Sequence, residues 1–343
     1  MISFTNDHSI ASRMYLRLTF LFLSIAFTIS LHAQKLSFNE EGTFKIVQFT
    51  DMHYQHGNPK SDTTLLLITR VLDAEKPDMV VFTGDIVTGP VPEGWDAIMN
   101  QVADRKIPFA VTLGNHDHEQ GVTREEIARI VTSSPYNLNT PTGSVAGRVM
   151  DNVIPIYGSK NNIEESALIY CFDSGAYSTM DGVKGYGWLT TDQIEWYRQQ
   201  SMHYSVKHHF QPLPALAYFH IPLPEYRLAF NEEKNVRYGV RLEAECSPDL
   251  NSGMFLAMRE MRDVMATFTG HDHVNNYIVN YHDIALAYGC FSGWRTTYTP
   301  AMNGVRVVVL KENKRAFDTW LHLLDGTTLY KVTYPADFTG TEK

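Results

Sequence analysis

Phe109-Ala110-Val111-Thr112-Leu113-Gly114-Asn115-His116-Asp117 is a short apolar run that ends on a glycine and three polar side chains suited to binding or proton transfer. A run of this length, rich in β-formers and closed by glycine, predicts a buried strand. The same grammar recurs on both sides of it. Phe44 to Thr50 leads into Asp51-Met52-His53, Met79 to Thr83 into Gly84-Asp85, Ala215 to Phe219 into His220, and Val264 to Thr269 into Gly270-His271-Asp272-His273. Each polar cluster therefore sits at the carboxyl end of an expected strand.

Between the first three clusters the spacing is roughly 30 residues, the length of one strand-helix-strand crossover. The intervening helices are expected at Asp62 to Glu75, apolar at Leu65, Leu66, Ile68, Val71 and Leu72, and at Glu93 to Ala103 after Pro90 and Pro92. Crossovers make parallel strands, and parallel strands deliver their carboxyl ends to one edge, where open α/β sheets place their sites. Clusters far apart in sequence should meet along that rim.

Working outward, Thr123-Arg124-Glu125-Glu126 is a capping box that starts a helix to Val131. Val149 to Tyr157 and Ala167 to Asp173 read as an antiparallel hairpin, and Thr191 to Tyr204 as a helix. Glu225 to Asn251 is the longest stretch without periodicity, as expected of a lid or specificity loop. Ser252 to Arg262 is helical, and Tyr277 to Val279, Ile284 to Tyr288, Val305 to Leu310 and Thr328 to Val332 add strands. The expected architecture is α/β, a single domain over residues 34–343 with two sheets.

The chain has 343 residues, 44% of them hydrophobic and 12% aromatic, enough for a sizeable core. Its net charge of -9, from 38 acidic and 29 basic residues, argues against a general nucleic-acid binder. Residues 1–33 stand apart: Leu18 to Leu31 is nearly all apolar or small, and Arg13 and Arg17 precede it. This predicts an export signal cleaved after Ala33, with Met14 the alternative start. As a helix the apolar run would span about 21 Å, short of the roughly 30 Å hydrocarbon core, so a tether by an uncleaved signal is the alternative and a stable membrane span is not expected. Cys171, Cys246 and Cys290 are too few for a disulfide framework. Either Cys246 pairs with Cys290, or all remain buried thiols.

Collected on the rim are Asp51, His53, Asp85, Asn115, His116, Asp117, His220, His271 and His273. Carboxylate and amide oxygens mixed with imidazoles suit manganese, iron or zinc better than magnesium or calcium. The supply exceeds one tetrahedral site. With one carboxylate shared, it fills two sites about 3.5 to 4 Å apart, a spacing that lets two ions hold one phosphoryl group.

The order Asp-x-His, Gly-Asp, Gly-Asn-His-Asp, His, Gly-His-x-His resembles the calcineurin-like metallophosphoesterase superfamily, over Asp51 to His273. The resemblance implies a sandwich of two mixed β-sheets flanked by helices. It also implies one metal on Asp51, His53 and His273, a second on Asn115, His220 and His271, and Asp85 bridging them. His116 would be the general acid and Asp117 would orient its ring. Asp51-Met52-His53-Tyr54, His220 to Tyr226, Asn251-Ser252-Gly253, Gly270 to Asn275 and Ser292-Gly293-Trp294 resemble the purple acid phosphatase 29-like branch. Purple enzymes carry Gly where His53 stands and a Tyr ligand where Thr88 stands, so no purple colour is expected here.

The resemblance implies an exported phosphatase that hydrolyses phosphate monoesters by attack of metal-bound hydroxide. The alternatives are a phosphodiesterase or nuclease of the same superfamily and a non-catalytic scaffold. Singly, Asp51, His53 and Asp85 read as turn, surface and helix-cap residues; together they read as ligands. His118 reads as a solvated neighbour, and His56, His203, His208, His209, His282 and His322 as surface residues. Tyr54, Tyr226, Arg227, Arg237, Arg241, Trp294 and Arg295 either line a substrate mouth or make ordinary surface pairs.

Overall fold

The computed structural model describes Met1 and residues 35–140, 148–160, 163–298 and 302–339. The expected export signal, residues 1–33, therefore lies outside the described residues apart from Met1. In chain order the first strands are β1 (Leu36–Ser37), β2 (Thr43–Phe49), β3 (Met79–Thr83), β4 (Phe109–Thr112), β5 (Asn152–Tyr157), β6 (Glu165–Cys171) and β7 (Ala215–Tyr218). The rest are β8 (Arg237–Tyr238), β9 (Val264–Thr269), β10 (Ile278–Tyr281), β11 (Ile284–Tyr288), β12 (Gly304–Lys311), β13 (Phe317–Leu323) and β14 (Thr328–Tyr334).

These strands form two mixed sheets, as expected. One runs β14-β13-β12-β2-β3-β4 and the other β1-β5-β6-β7-β9-β11-β10-β8. In the first, β2, β3 and β4 are parallel, with Phe49 opposite Phe82 and Thr83 opposite Thr112. In the second, β6, β7, β9 and β11 are parallel, with Cys171 opposite Tyr218 and Tyr218 opposite Phe268. Those registers bring Asp51, Asp85 and Asn115 level on one sheet and His220 and His271 level on the other. Thr50 bridges to Phe291, and Gln48 Nε2 donates to Thr269 O at 3.0 Å, so the two carboxyl-terminal edges face each other.

Three apolar layers hold this arrangement, and the parallel strands are apolar on both faces because both are covered. Ile46, Val81, Ile169, Leu216, Phe268 and Val308 fill the space between the sheets. On the outer face of the six-stranded sheet, Val47, Val80 and Phe82 meet Leu67, Ile68 and Val71 of the helix Asp62–Glu75 and Trp95 of Val91–Ala103. The other sheet is covered by Thr191–Lys207 and Met254–Met261, through Tyr197, Met254 and Met258.

Several expectations change. Helix Val91–Ala103 starts before Pro92, because a proline costs nothing in a first turn whose N–H would be unpaired. Thr191–Lys207 runs three residues past Tyr204. The Glu225 to Asn251 stretch is not structureless: it contains the helix Glu225–Asn231 and β8. β13 was not among the expected strands. All three cysteines are free, so the Cys246 to Cys290 pairing is absent. His322 is not a surface residue; it is buried with Nδ1 2.6 Å from Glu75 Oε1.

Candidate metal centre

Where the strands stop, the chain must turn sharply and still aim a side chain into the rim. Asp51, His53, Asp85 and His271 all do so in the left-handed region, at φ of 53°, 42°, 54° and 78°. Non-glycine residues rarely adopt that region, and clusters of them mark functional sites. The bends are held by backbone bonds between the loops, His53 N to Asp85 O at 2.8 Å and Asp51 N to Gly84 O at 3.1 Å. Glycine precedes three of the polar clusters for want of room: a Cβ on Gly84 would strike the His220 ring, one on Gly114 would strike Asp85, and one on Gly270 would strike Thr50 and Asp51.

The converging side chains form two groups. Asp51, His53 and His273 lie with their ligand atoms within 4.8 Å of one another, and so do Asp85, His220 and His271. In the first, His53 Nε2 faces His273 Nε2 at 3.0 Å, and His273 Nε2 lies 3.7 Å from Asp51 Oδ1. In the second, His220 Nε2 is surrounded by Asp85 Oδ2 at 3.2 Å, Asn115 Oδ1 at 3.1 Å and His271 Nδ1 at 3.2 Å. Asp85 Oδ2 also lies 3.8 Å from His53 Nε2, so this carboxylate stands between the groups.

This donor set fits two cations. His220 Nδ1 lies 2.8 Å from the Thr83 carbonyl and His273 Nδ1 3.2 Å from the Tyr298 carbonyl, so each ring directs its Nδ1 proton away from the rim and turns Nε2 into it. Nitrogens facing one another at 3.0 Å need a proton or a cation between them. Burial lowers His53 to about 4 and His273 to about 3, and burial with the His220 charge holds His271 well below the usual histidine range. Those rings are neutral, the form that binds metal. Burial alone would lower His220, but the adjacent Asp85 carboxylate outweighs it and lifts His220 to about 9. Asp85 is buried too, yet the His220 charge and hydrogen bond keep it well below the carboxylate range. Asp51 rises to about 7 through burial, with the His220 charge opposing and that of Asp85 assisting. The site is short of positive charge.

Beside the second group, His116 N donates to Asp85 Oδ1 at 2.8 Å, which fixes this residue relative to the centre. Its ring is held otherwise than expected. His116 Nδ1 is 2.6 Å from Glu119 Oε2, whereas Asp117 accepts the backbone N–H of Asp85, Ile86, Val87 and Gly114 at 2.7 to 3.2 Å. Asp117 is thus occupied in shaping the Gly84-Asp85 turn and does not orient the imidazole. Glu119 also accepts from Tyr177 OH at 2.9 Å, and Tyr177 OH accepts from Asn115 Nδ2 at 3.3 Å.

Comparison with known proteins identifies the family and the fold. The family model described as calcineurin-like phosphoesterase matches residues 44–275. The chain belongs to the calcineurin-like phosphoesterase family. It is similar to "Probable inactive purple acid phosphatase 29" of Arabidopsis thaliana, 34% identical over 84% of this chain and 82% of the relative. It is also 30% identical to "Phosphatase DCR2" of Saccharomyces cerevisiae, over 85% of this chain and 55% of that one. A dimetal phosphatase from Danio rerio shares the fold with a TM-score of 0.56 at 13% identity, covering 84% of this chain and 98% of that one.

Within this calcineurin-like fold, Tyr54 and Tyr226 are buried, and Tyr226 OH lies 2.8 Å from Thr267 Oγ1, so Tyr226 is core and not mouth. Arg241 makes a two-pronged pair with Glu245. The residues that do flank the centre were missed. Tyr186 stands edge-on to His271 at 4.2 Å, and Tyr298 stacks on His273 at 4.0 Å. Only Glu119 carried a signal, three residues after His116; no pattern marks the tyrosines.

Proposed function

We propose that this protein is an exported phosphatase that hydrolyses phosphate monoesters at a dinuclear metal centre. One ion would be held by Asp51, His53 and His273, the other by Asn115, His220 and His271, with Asp85 shared; manganese, iron and zinc all suit these donors. Carrying the reading is one observation: six ligand-type side chains converge in two groups around a seventh, Asp85, and His116 lies beside them on a carboxylate. The relatives' names divide between a phosphatase and probable inactive enzymes. This chain has a full set of donors with His116 beside them, which supports turnover. The apolar run Leu18 to Leu31 supports export, and no helix among the described residues is long and apolar enough to cross a membrane.

Bound cations supply Lewis acidity, neutralising phosphoryl oxygens and making a water acidic enough to attack near neutral pH. The chain supplies the rest. Asp85 ties the two ligand groups and, by accepting the His116 N–H, sets the distance from centre to proton donor. Glu119 accepts the Nδ1 proton of His116, so Nε2 is the nitrogen left to protonate the departing alkoxide. Gly84, Gly114 and Gly270 leave space for those side chains.

Phosphate release from p-nitrophenyl phosphate and from its bis-ester, measured with manganese, zinc and iron, tests the reading. Faster turnover of the monoester is expected. Preference for the diester would move the protein to the phosphodiesterases, and no turnover of either by protein carrying two ions would make it a scaffold.

A further inference from the structure

A third group of ligand-type side chains adjoins the two already described. Cys246 Sγ, a ring nitrogen of His271 and a carboxylate oxygen of Asp272 all lie within 4.8 Å of one another. Neither Cys246 nor Asp272 belongs to the dinuclear centre. Their geometry is nonetheless held: Asp272 accepts the Cys246 backbone N–H at 3.2 Å and the Tyr288 hydroxyl. The segment that carries Cys246 is pinned further, with Leu242 N on Asn275 Oδ1 at 2.9 Å and Val274 N on Glu243 Oε1 at 3.0 Å. A second observation also points to a ligand. His271 is only 8% exposed, its Nδ1 faces His220, and its Nε2 has no hydrogen-bond partner in the structure. Buried polar nitrogens are seldom left so.

We propose that Cys246, Asp272 and His271 form a third cation site, selective for a thiophilic ion such as zinc. A thiolate, an imidazole and a carboxylate are a zinc ligand set, with a fourth position open to water. Zinc bonds of about 2.0 to 2.3 Å put tetrahedral ligands roughly 3.5 Å apart, so the group closes on an ion by side-chain shifts of about 1 Å. The binding step displaces the Cys246 thiol proton to solvent and forms one zinc–sulfur bond; nothing is oxidised or reduced. Because His271 also serves the dinuclear centre, a third ion either draws that ring away or shares it, and sharing displaces the ring's remaining N–H proton to solvent as well. Both weaken the hold on the second ion, so the site is inhibitory, and it ties the Cys246 segment to the Gly270–His273 turn. The inhibitory consequence rests on the proposed phosphatase reading; the site itself does not.

Sulfur ligation separates this site from the dinuclear centre, whose donors are nitrogen and oxygen only. The metal-stripped full-length protein is titrated with cobalt(II) and its near-ultraviolet absorption followed. A sulfur-to-cobalt charge-transfer band is expected only after the first two equivalents, and it should vanish in Cys246→Ser while two equivalents still bind. The buried Cys171 provides the control, since Cys171→Ala should keep the band. Absence of the band at every loading, or its survival in Cys246→Ser, would overturn the proposal whether or not the protein is a phosphatase. In the phosphatase assay, excess zinc should lower wild-type turnover about tenfold and leave Cys246→Ser unaffected.

Discussion

The two halves of the metal centre use the same residue types and differ in the protons their rings carry. Around Asp51, His53 and His273, burial keeps both rings neutral, and ring nitrogens face one another at 3.0 Å. Around Asp85, His220 and His271, a proton already sits where a cation belongs, since Asp85 raises His220 to about 9 and takes its charge in return. A cation enters the first half without displacing a ring proton, whereas in the second it must displace the one on His220. Asp85 joins them, within 3.8 Å of His53 and 3.2 Å of His220.

The strongest way to break this contrast is to remove the shared carboxylate. Asp85→Ala should cost both halves their ion and lower turnover by about 10³-fold or more, read by elemental analysis beside the phosphatase assay. Retention of one ion at full affinity would show that the halves do not share Asp85. Acidity sharpens the comparison next. Affinity of the His220 half should rise about tenfold per pH unit up to about pH 9, because its proton must leave first. The other half should rise only up to about pH 7, where Asp51 loses its proton, since its rings are already neutral above about pH 4. Isothermal titration at several pH values, with proton release measured by buffer enthalpy, reads both. Equal slopes between pH 7 and pH 9 would erase the distinction.

The smallest effect concerns His116. Glu119→Gln should lower turnover about tenfold with metal content unchanged. The loss should be larger for an alkyl phosphate, whose leaving group needs a proton, than for p-nitrophenyl phosphate. Equal losses on both would reduce Glu119 to a structural role.

Much of this was legible in the sequence because strand ends are written in it. Apolar runs closed by Gly84-Asp85, Gly114-Asn115 and Gly270-His271 located the rim, and crossover lengths put those ends together. The glycines were legible for a physical reason, as a Cβ at each would collide with the site. Local pattern could not say which carboxylate holds the His116 ring. Asp117 is adjacent in sequence, but its oxygens are consumed by the backbone of a turn about 30 residues earlier, and that distant pairing leaves the ring to Glu119. Nor could it separate Tyr226, buried on Thr267, from Tyr186, set against His271, since both are tyrosines in irregular surroundings. Long-range contacts decide such cases.

The most direct measurement is anomalous scattering from a crystal of the protein loaded with manganese. Two peaks about 3.5 to 4 Å apart are expected, one among Asp51, His53 and His273 and one among Asn115, His220 and His271, with Asp85 touching both. A single peak, or two peaks that Asp85 does not join, would contradict the shared centre.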